Sequence, residues 1–267
     1  MPKIYIITSY YPPEIGAASN RIYHLAQGLK ARGFQVNVIA PLPNYPTGEI
    51  FEKYKGKLYL HEIMEGISIR RLWLYPTNSS NKAIRLFSML SYSISLMVFY
   101  LFHPVSKRVI VQCPPLLVAF TSMFFLRRKR RTLVLNVSDL WPSIGIELGA
   151  LKEGFFVKVL RKIEKFNYKK ADIILGQSNE ILTHVENLFP NKKLMLYRNF
   201  PIVDDLVPEK IIARDKAVKV VYAGLLGEAQ GILDLCKKWN NEVELHLYGE
   251  GSERDKIEDY LKNAGSS

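Results

Sequence analysis

Apolar residues along the chain come in short runs closed by turn formers, and these alternate with stretches whose apolar positions recur at the helical period. That alternation predicts an α/β protein with a mainly parallel sheet, because each crossover between parallel strands then carries a helix. The runs predict strands at 3–8, 35–40, 67–72, 108–112, 132–137, 172–177 and 193–197. Between the first two, Ile22, Leu25, Ala26 and Leu29 share one face of a helix over 19–31 that stops at Gly33. A helix over 155–168 is expected to bury Phe156, Val159, Leu160, Ile163 and Phe166 and to turn Lys158, Arg161, Lys162, Lys165 and Lys169 outward. Residues 41–62, rich in Pro, Gly and Lys, read as a long loop, a class that often serves function.

The periodicity lapses over 201–217, where Pro201, Asp204, Asp205 and Pro208 stand among mixed charges, so this stretch reads as a linker. Beyond it come a strand at 218–223, a helix at 230–239, a strand at 243–248 and a helix at 253–261. The predicted organisation is a Rossmann-like domain over 1–200, the linker, and a partial second domain over 218–267. Two strands and two helices in about 50 residues bury little apolar surface, and the second domain reads as unfinished.

Residues 84–102 carry one charge, Arg85, over 19 positions, close to the roughly 20 apolar residues that cross a bilayer. Four serines and two tyrosines dilute the segment, which favours a buried or membrane-apposed helix over a span. At the N-terminus the apolar run Ile4 to Ile7 falls short of the roughly 7–15 residues of a signal-peptide core.

Composition narrows the class further. With 48% hydrophobic and 23% charged residues, a disordered, collagen-like or coiled-coil chain is excluded. The net charge of +12 is unevenly spread: residues 1–200 hold 28 basic and 12 acidic side chains, and residues 201–267 hold 9 and 13. The first part therefore faces something anionic. Arg127 to Arg131 is the densest basic run; beside apolar helices it fits anionic lipid, at about 1 kcal/mol per basic residue near a membrane, better than nucleic acid. A solvated turn explains it equally simply. Cys113 and Cys236 lie in separate apolar segments, as in a reducing, cytoplasmic compartment. The five histidines show no ligand spacing, so no metal is expected, and G-x-S-x-G, Walker A and zincin motifs are absent.

Candidate chemistry falls at predicted strand ends, where α/β folds bind ligands. Gly16, Ala17 and Ala18 allow close backbone approach, and the helix start after them offers free N–H groups to a phosphate; a plain turn accounts for Gly16 as well. Asp139 follows the strand at 132–137, where a carboxylate can take a proton from a hydroxyl or orient it, or can cap the following turn with Trp141 as core. In the second unit, Gly224 to Gly231 and Gly249-Glu250-Gly251 are shaped like phosphate loops, but no third glycine completes a dinucleotide fingerprint.

Taken in order, Tyr11-Pro12-Pro13-Glu14-Ile15-Gly16-Ala17-Ala18-Ser19-Asn20-Arg21, Cys113-Pro114-Pro115-Leu116, Asp139-Leu140-Trp141-Pro142, Ala171-Asp172 with Ser178, Asn199, Gly224 with Gly227-Glu228-Ala229-Gln230-Gly231, and Gly249-Glu250-Gly251 resemble a family-4 retaining glycosyltransferase of the GT-B fold. The subgroup most similar transfers N-acetylated deoxysugars such as N-acetylfucosamine onto lipid-linked O-antigen or capsule precursors. The resemblance implies a UDP-sugar donor as substrate, no cofactor and no metal, an undecaprenyl-diphosphate-linked acceptor, and a cytoplasmic enzyme peripheral on the inner face of the cell membrane. It implies that Gly16 and Ala17 approach the donor diphosphate, that Gly224, Gly227, Gln230, Gly231, Gly249 and Glu250 line the donor, and that Asp139 faces the acceptor. Arg21, Ser178 and Asn199 fall near the cleft by the same resemblance, although the last two are equally placed to be caps.

Two departures stand out. Many members carry Arg and Lys where this chain has Leu225 and Gln230, a change the named subgroup shares at Gln230. The family's second domain also runs on to paired glutamates in an E-x7-E motif that 267 residues do not reach. The expectation is a truncated enzyme with little turnover alone, a subunit whose partner chain supplies the donor half, or a non-catalytic membrane-associated binding protein.

Overall fold

The computed structural model describes residues 1–79, 81–127, 130–198, 218–240 and 243–264. The chain divides into two compact units, Met1–Pro201 and Ile202–Ser267.

Unit 1 is built on β1 (Lys3–Ile7), β2 (Gln35–Pro41), β3 (Tyr59–Met64), β4 (Ile67–Leu72), β5 (Arg108–Cys113), β6 (Thr132–Val137), β7 (Ile173–Gly176) and β8 (Lys193–Leu196). They form one sheet in the order β3-β4-β2-β1-β5-β6-β7-β8, parallel throughout except for β3, which pairs antiparallel with β4 at the edge. The expected α/β class and each predicted strand of this unit are present. The added strand β3 corrects the reading of 41–62 as loop throughout. Its burial alternates between half-buried and exposed, so its apolar run never becomes continuous, and Gly66 turns it back onto β4 at φ 75°.

Because side chains alternate across a strand, the central strands feed two separate cores. Ile4, Ile6, Val36, Val38, Ala40 and Ile110 face α1 (Ala17–Ala31), whose Ile22 and Ala26 complete that cluster. Tyr5, Ile7, Val109, Val111, Leu133, Leu135 and Val137 face the other side. There they meet α2 (Lys82–Phe102), α3 (Leu116–Leu126), α5 (Phe155–Lys170) and α6 (Asn179–Leu188), while the short α4 (Ser143–Glu147) lies in the β6–α5 connection. Nearly continuous burial in β1, β2, β5 and β6 is what a sheet covered on both faces requires.

Helix α2 is long and apolar enough to cross a membrane, yet one face is woven into the fold. Tyr92 Oη donates to Thr8 O at 2.9 Å, Ser95 Oγ donates to Trp73 O at 2.7 Å, and Tyr75 N–H donates to Ser91 Oγ at 2.7 Å. Ser91, Tyr92 and Ser95, among the polar residues that dilute this segment, are thus its anchors. Helix α5 departs from expectation in its buried face, which is Val157, Glu164, Asn167 and Tyr168; Phe156 is exposed and Val159, Leu160, Ile163 and Phe166 are partly buried. A polar pair rotates the helix: Tyr168 Oη donates to Glu164 Oε1 at 3.0 Å, and the carboxylate lies 3.3 Å from His184 Nε2. Burial pushes the Glu164 pKa up, and Tyr168 and His184 hold it back. Of the basic run, Arg128 and Lys129 lie outside the described residues, and Arg131 is a structural clamp that donates to Ser106, Leu126 and Val105 carbonyls at 2.6–3.0 Å.

Unit 2 holds β9 (Lys219–Ala223) and β10 (Glu244–Tyr248), paired parallel, with α7 (Ile232–Lys238) and α8 (Arg254–Asn263). Its buried cluster among the described residues is Leu226, Ile232, Cys236 and Ile257. The predicted linker at 201–217 lies outside the described residues.

Candidate functional site

Parallel strands end together, so the loops after β1, β5, β6, β7 and β8 share one edge of the sheet, the edge at which open α/β folds bind ligands. Backbone bonds carry the ladder past the strand ends: Ser138 N–H donates to Cys113 O at 2.9 Å, Gln177 N–H to Val137 O at 3.1 Å, and Tyr197 N–H to Gly176 O at 2.8 Å. The side chains that leave this edge are therefore held in register.

Arg21, in the second turn of α1, reaches this edge and is only 4% exposed. Its Nη1 donates to Gln177 Oε1 at 2.6 Å, its Nη2 donates to Asn136 Oδ1, and its guanidinium stands 5.5 Å from the Tyr197 ring centroid. Burial lowers its pKa, while Tyr197 and Asp139 pull it back up. The cation thus rests on two neutral amide oxygens, with Asp139 near enough to act on it electrostatically. Asp139 itself is half-buried, and its carboxylate makes no hydrogen bond or ion pair to another described residue. The capping alternative finds no support, since the turn is closed by Trp141 N–H on the Asp139 backbone carbonyl at 3.1 Å. Trp141 packs partly buried against the core, as the plainer reading of this motif has it. A carboxylate so placed is free to accept a proton from a hydroxyl or to orient it.

Gly16 is the N-cap of α1 and Ala17 its first residue, and no side chain caps that first turn. Its N–H groups remain open to an anion. A Cβ on Gly16 would stand 3.5 Å from the Tyr45 ring, in ordinary contact. The loop before it is fixed by Glu14, which is buried and accepts from the backbone N–H groups of Tyr11 (3.3 Å), Asn44 (2.9 Å) and Tyr45 (3.0 Å). Burial nonetheless leaves the Glu14 pKa raised above its ordinary value, against the pull of those bonds and of Arg71. Arg71, fully buried, donates to the Pro12 carbonyl and, at 2.9 Å, to Glu62.

Ser178 resolves as a cap, accepting from Ile181 N–H at 3.3 Å at the start of α6; its neighbour Gln177 is the residue that reaches Arg21. Asn199 lies outside the described residues. Asn136, Gln177 and Tyr197 are not among the sequence-predicted residues. The mark that finds Asn136 is a polar residue inside an apolar strand, and Gln112, which accepts from Thr8 Oγ1, carries the same mark.

In unit 2 the two predicted loops do come together at the ends of β9 and β10. Gly224 N–H donates to Tyr248 O and Leu226 N–H to Glu250 O, both at 2.9 Å. A Cβ on Gly249 would fall inside the surface of the Gly224 carbonyl oxygen, and one on Gly251 inside that of Leu226. These glycines are thus required by loop-on-loop packing. Gly231 takes the left-handed conformation at φ 63° between a 3-10 turn and α7, and Gly227 opens that turn with Gln230 exposed at its end. Glu250 is engaged by Arg254, which also pairs with Glu258 at 2.8 Å. Among the described residues no three His, Cys, Asp or Glu side chains converge as a metal site.

Residues 16–199 match the model of the glycosyl transferase 4-like domain. A relative from Escherichia coli (strain K12), the putative colanic acid biosynthesis glycosyl transferase WcaI, is 23% identical, the alignment covering 98% of this chain and 69% of the relative. Among solved structures, sucrose-phosphate synthase from Thermosynechococcus elongatus superposes with a TM-score of 0.66 at 13% identity, covering 99% of this chain and 68% of that one. A mutant of S. aureus TarM, in complex with fondaparinux, alpha-GlcNAc-glycerol and UDP, gives 0.54 at 13% identity over 99% and 76%. These likenesses show the GT-B fold. With the family model matched over more than half its length, the chain belongs to the glycosyl transferase 4-like family and is a glycosyltransferase of GT-B type.

Proposed function

We propose that the reaction is retaining transfer of a sugar from a UDP-sugar to a hydroxyl of an undecaprenyl-diphosphate-linked saccharide, in the synthesis of a bacterial surface polysaccharide such as O-antigen or capsule. The sugar this reading favours is an N-acetylated deoxysugar, and the place is the inner face of the cell membrane. The observation that carries it is the unpartnered Asp139 carboxylate beside the buried Arg21 cation at the ligand-binding edge. Asp139 orients the acceptor hydroxyl or takes its proton. Arg21 and the open first-turn amides of α1 offset the charge that gathers on the departing diphosphate. Leu225 and Gln230 stand where many members of the family carry a basic side chain. The donor is substrate, and no cofactor or metal enters the scheme. The polysaccharide role of the E. coli relative and the UDP held by TarM support this reading.

The test is calorimetric and kinetic. The chain is offered UDP-sugars, ADP-glucose and a short-chain undecaprenyl-diphosphate saccharide, and nucleoside diphosphate release is followed with and without acceptor. UDP release that needs the lipid-linked acceptor supports the proposal, as does turnover gained only on adding a second chain that supplies a donor site. Binding of the saccharide without any UDP-sugar binding points instead to a non-catalytic binding protein, and binding of neither overturns both.

A further inference from the structure

The outer surface of α2, α3 and α5 takes no part in that chemistry, yet it is unlike ordinary protein surface. At 100° per residue, Phe87, Leu90, Ile94, Val98 and Leu101 of α2 fall within an arc of about 80°, opposite the buried Tyr92, Leu96 and Phe99. All five are between 42% and 65% exposed, so the chain presents an uncharged apolar stripe along the whole helix. The stripe broadens sideways, because α2 packs on α3 and α3 on α5, where Phe124 and Phe155 are also exposed. Contiguous apolar surface of this extent marks an interaction site.

Charge identifies the partner. The three helices hold one acidic residue, Glu164, and it is buried; their exposed charges, Lys82 and Arg85 on α2 and Lys158, Arg161, Lys162, Lys165 and Lys169 on α5, are all positive, and of these Arg161 is paired with Glu153 just before α5. Apolar side chains whose exposed charged neighbours on the same helices are lysine and arginine fit an anionic lipid surface. A second copy of the same face would bring like charges together. A spanning arrangement would tear out the bonds from Tyr92, Ser91 and Ser95 that tie α2 to the core.

We propose that the α2–α3–α5 layer docks on an anionic bilayer with α2 lying in the membrane plane, its stripe among the upper acyl chains and the α5 lysines on the headgroups. Each of these helices begins at the sheet edge that carries Arg21 and Asp139, so docking holds that edge at headgroup level. Delivery of a lipid-linked acceptor to it rests on the function proposed above; the docking itself does not.

The experiment sediments the full chain with vesicles of phosphatidylcholine alone or with phosphatidylglycerol added. The wild type is expected to bind the anionic vesicles selectively. Ile94→Gln with Val98→Gln should lower partitioning tenfold or more, and Lys162→Glu with Lys165→Glu should abolish the preference for phosphatidylglycerol, both with unchanged circular dichroism. Phe87→Trp and Ile94→Trp, about 10 Å apart along the helix, should be quenched alike by lipids brominated at one shallow depth. The proposal is overturned by vesicle binding indifferent to all four substitutions, by quenching of Ile94→Trp about 10 Å deeper than Phe87→Trp, or by a lipid-free dimer that the Ile94→Gln, Val98→Gln pair turns into monomer. Loss of sugar transfer with vesicle binding intact would count against the proposed function and leave the docking standing.

Discussion

At the scale of single residues, the edge site is organised by polar groups whose partners decide what each can do. Arg21 is committed to Asn136 and Gln177, so Arg21→Ala strands two oxygens at a cost of about 1–3 kcal/mol each. A urea midpoint lowered with the m-value unchanged is the expected reading. Asp139 has no such commitments; Asp139→Asn should leave stability within about 0.5 kcal/mol and, on the proposed mechanism, lower transfer about a hundredfold or more. Glu14 adds a pH signature. Its folded pKa lies above its ordinary value of 4.5, so its contribution to stability is full below pH 4.5 and is lost as pH rises through the folded value. Glu14→Gln, which cannot titrate, should be less stable than wild type because its amide opposes the Tyr11 N–H. Urea unfolding at a series of pH values from 4 upward should show that deficit narrowing. Asp139 was legible in the sequence because strand ends are where chemistry collects, and Arg21 only through the family resemblance. Glu14 was legible only as part of a motif, since the reason for it is a loop some 30 residues away.

At the scale of elements, the strands of the covered sheet were legible because burial on both faces leaves an unbroken apolar run. Edge strand β3 was not, since only one of its faces is partly covered and its polar positions look like loop. The face of α5 was misjudged for a related reason: apolar periodicity cannot foresee a buried Glu164 bonded to Tyr168, and that pair turns Phe156 outward. In unit 2 the sequence reads the glycines as phosphate loops, whereas their packing role follows only from how closely the two loops approach. That role makes a prediction. A Cβ on Gly249 meets a backbone carbonyl, which cannot swing aside as a side chain can, so Gly249→Ala must part the loops and lose the Gly224–Tyr248 and Leu226–Glu250 bonds. The expected cost is about 2 kcal/mol, read as faster amide exchange at Gly224 and Leu226. Gly154→Ala, where nothing stands within 4 Å of the new Cβ, should cost about 1 kcal/mol at most.

At the scale of the whole molecule, the two units differ in how much they bury. Unit 1 closes two apolar clusters on either side of eight strands, whereas the buried cluster among the described residues of unit 2 is Leu226, Ile232, Cys236 and Ile257, beside a largely exposed β9 and a half-buried β10. A two-stranded sheet with so small a core is marginal, and local opening follows the density of buried contacts. Amides of β9 and β10 should therefore exchange orders of magnitude faster than those of β1, β5 and β6. The same difference fixes the response to a core deletion. Ile257→Ala truncates one of the four buried apolar side chains among the described residues of unit 2 at about 2–5 kcal/mol, more than such a core can spare, while every contact within unit 1 is left intact. Hydrogen exchange read by mass spectrometry should then show complete labelling across 218–264 with protection of 108–113 and 132–137 unchanged. Equal loss of protection in both regions would mean that the chain unfolds as one cooperative body, and that unit 2 draws its stability from more than its own core.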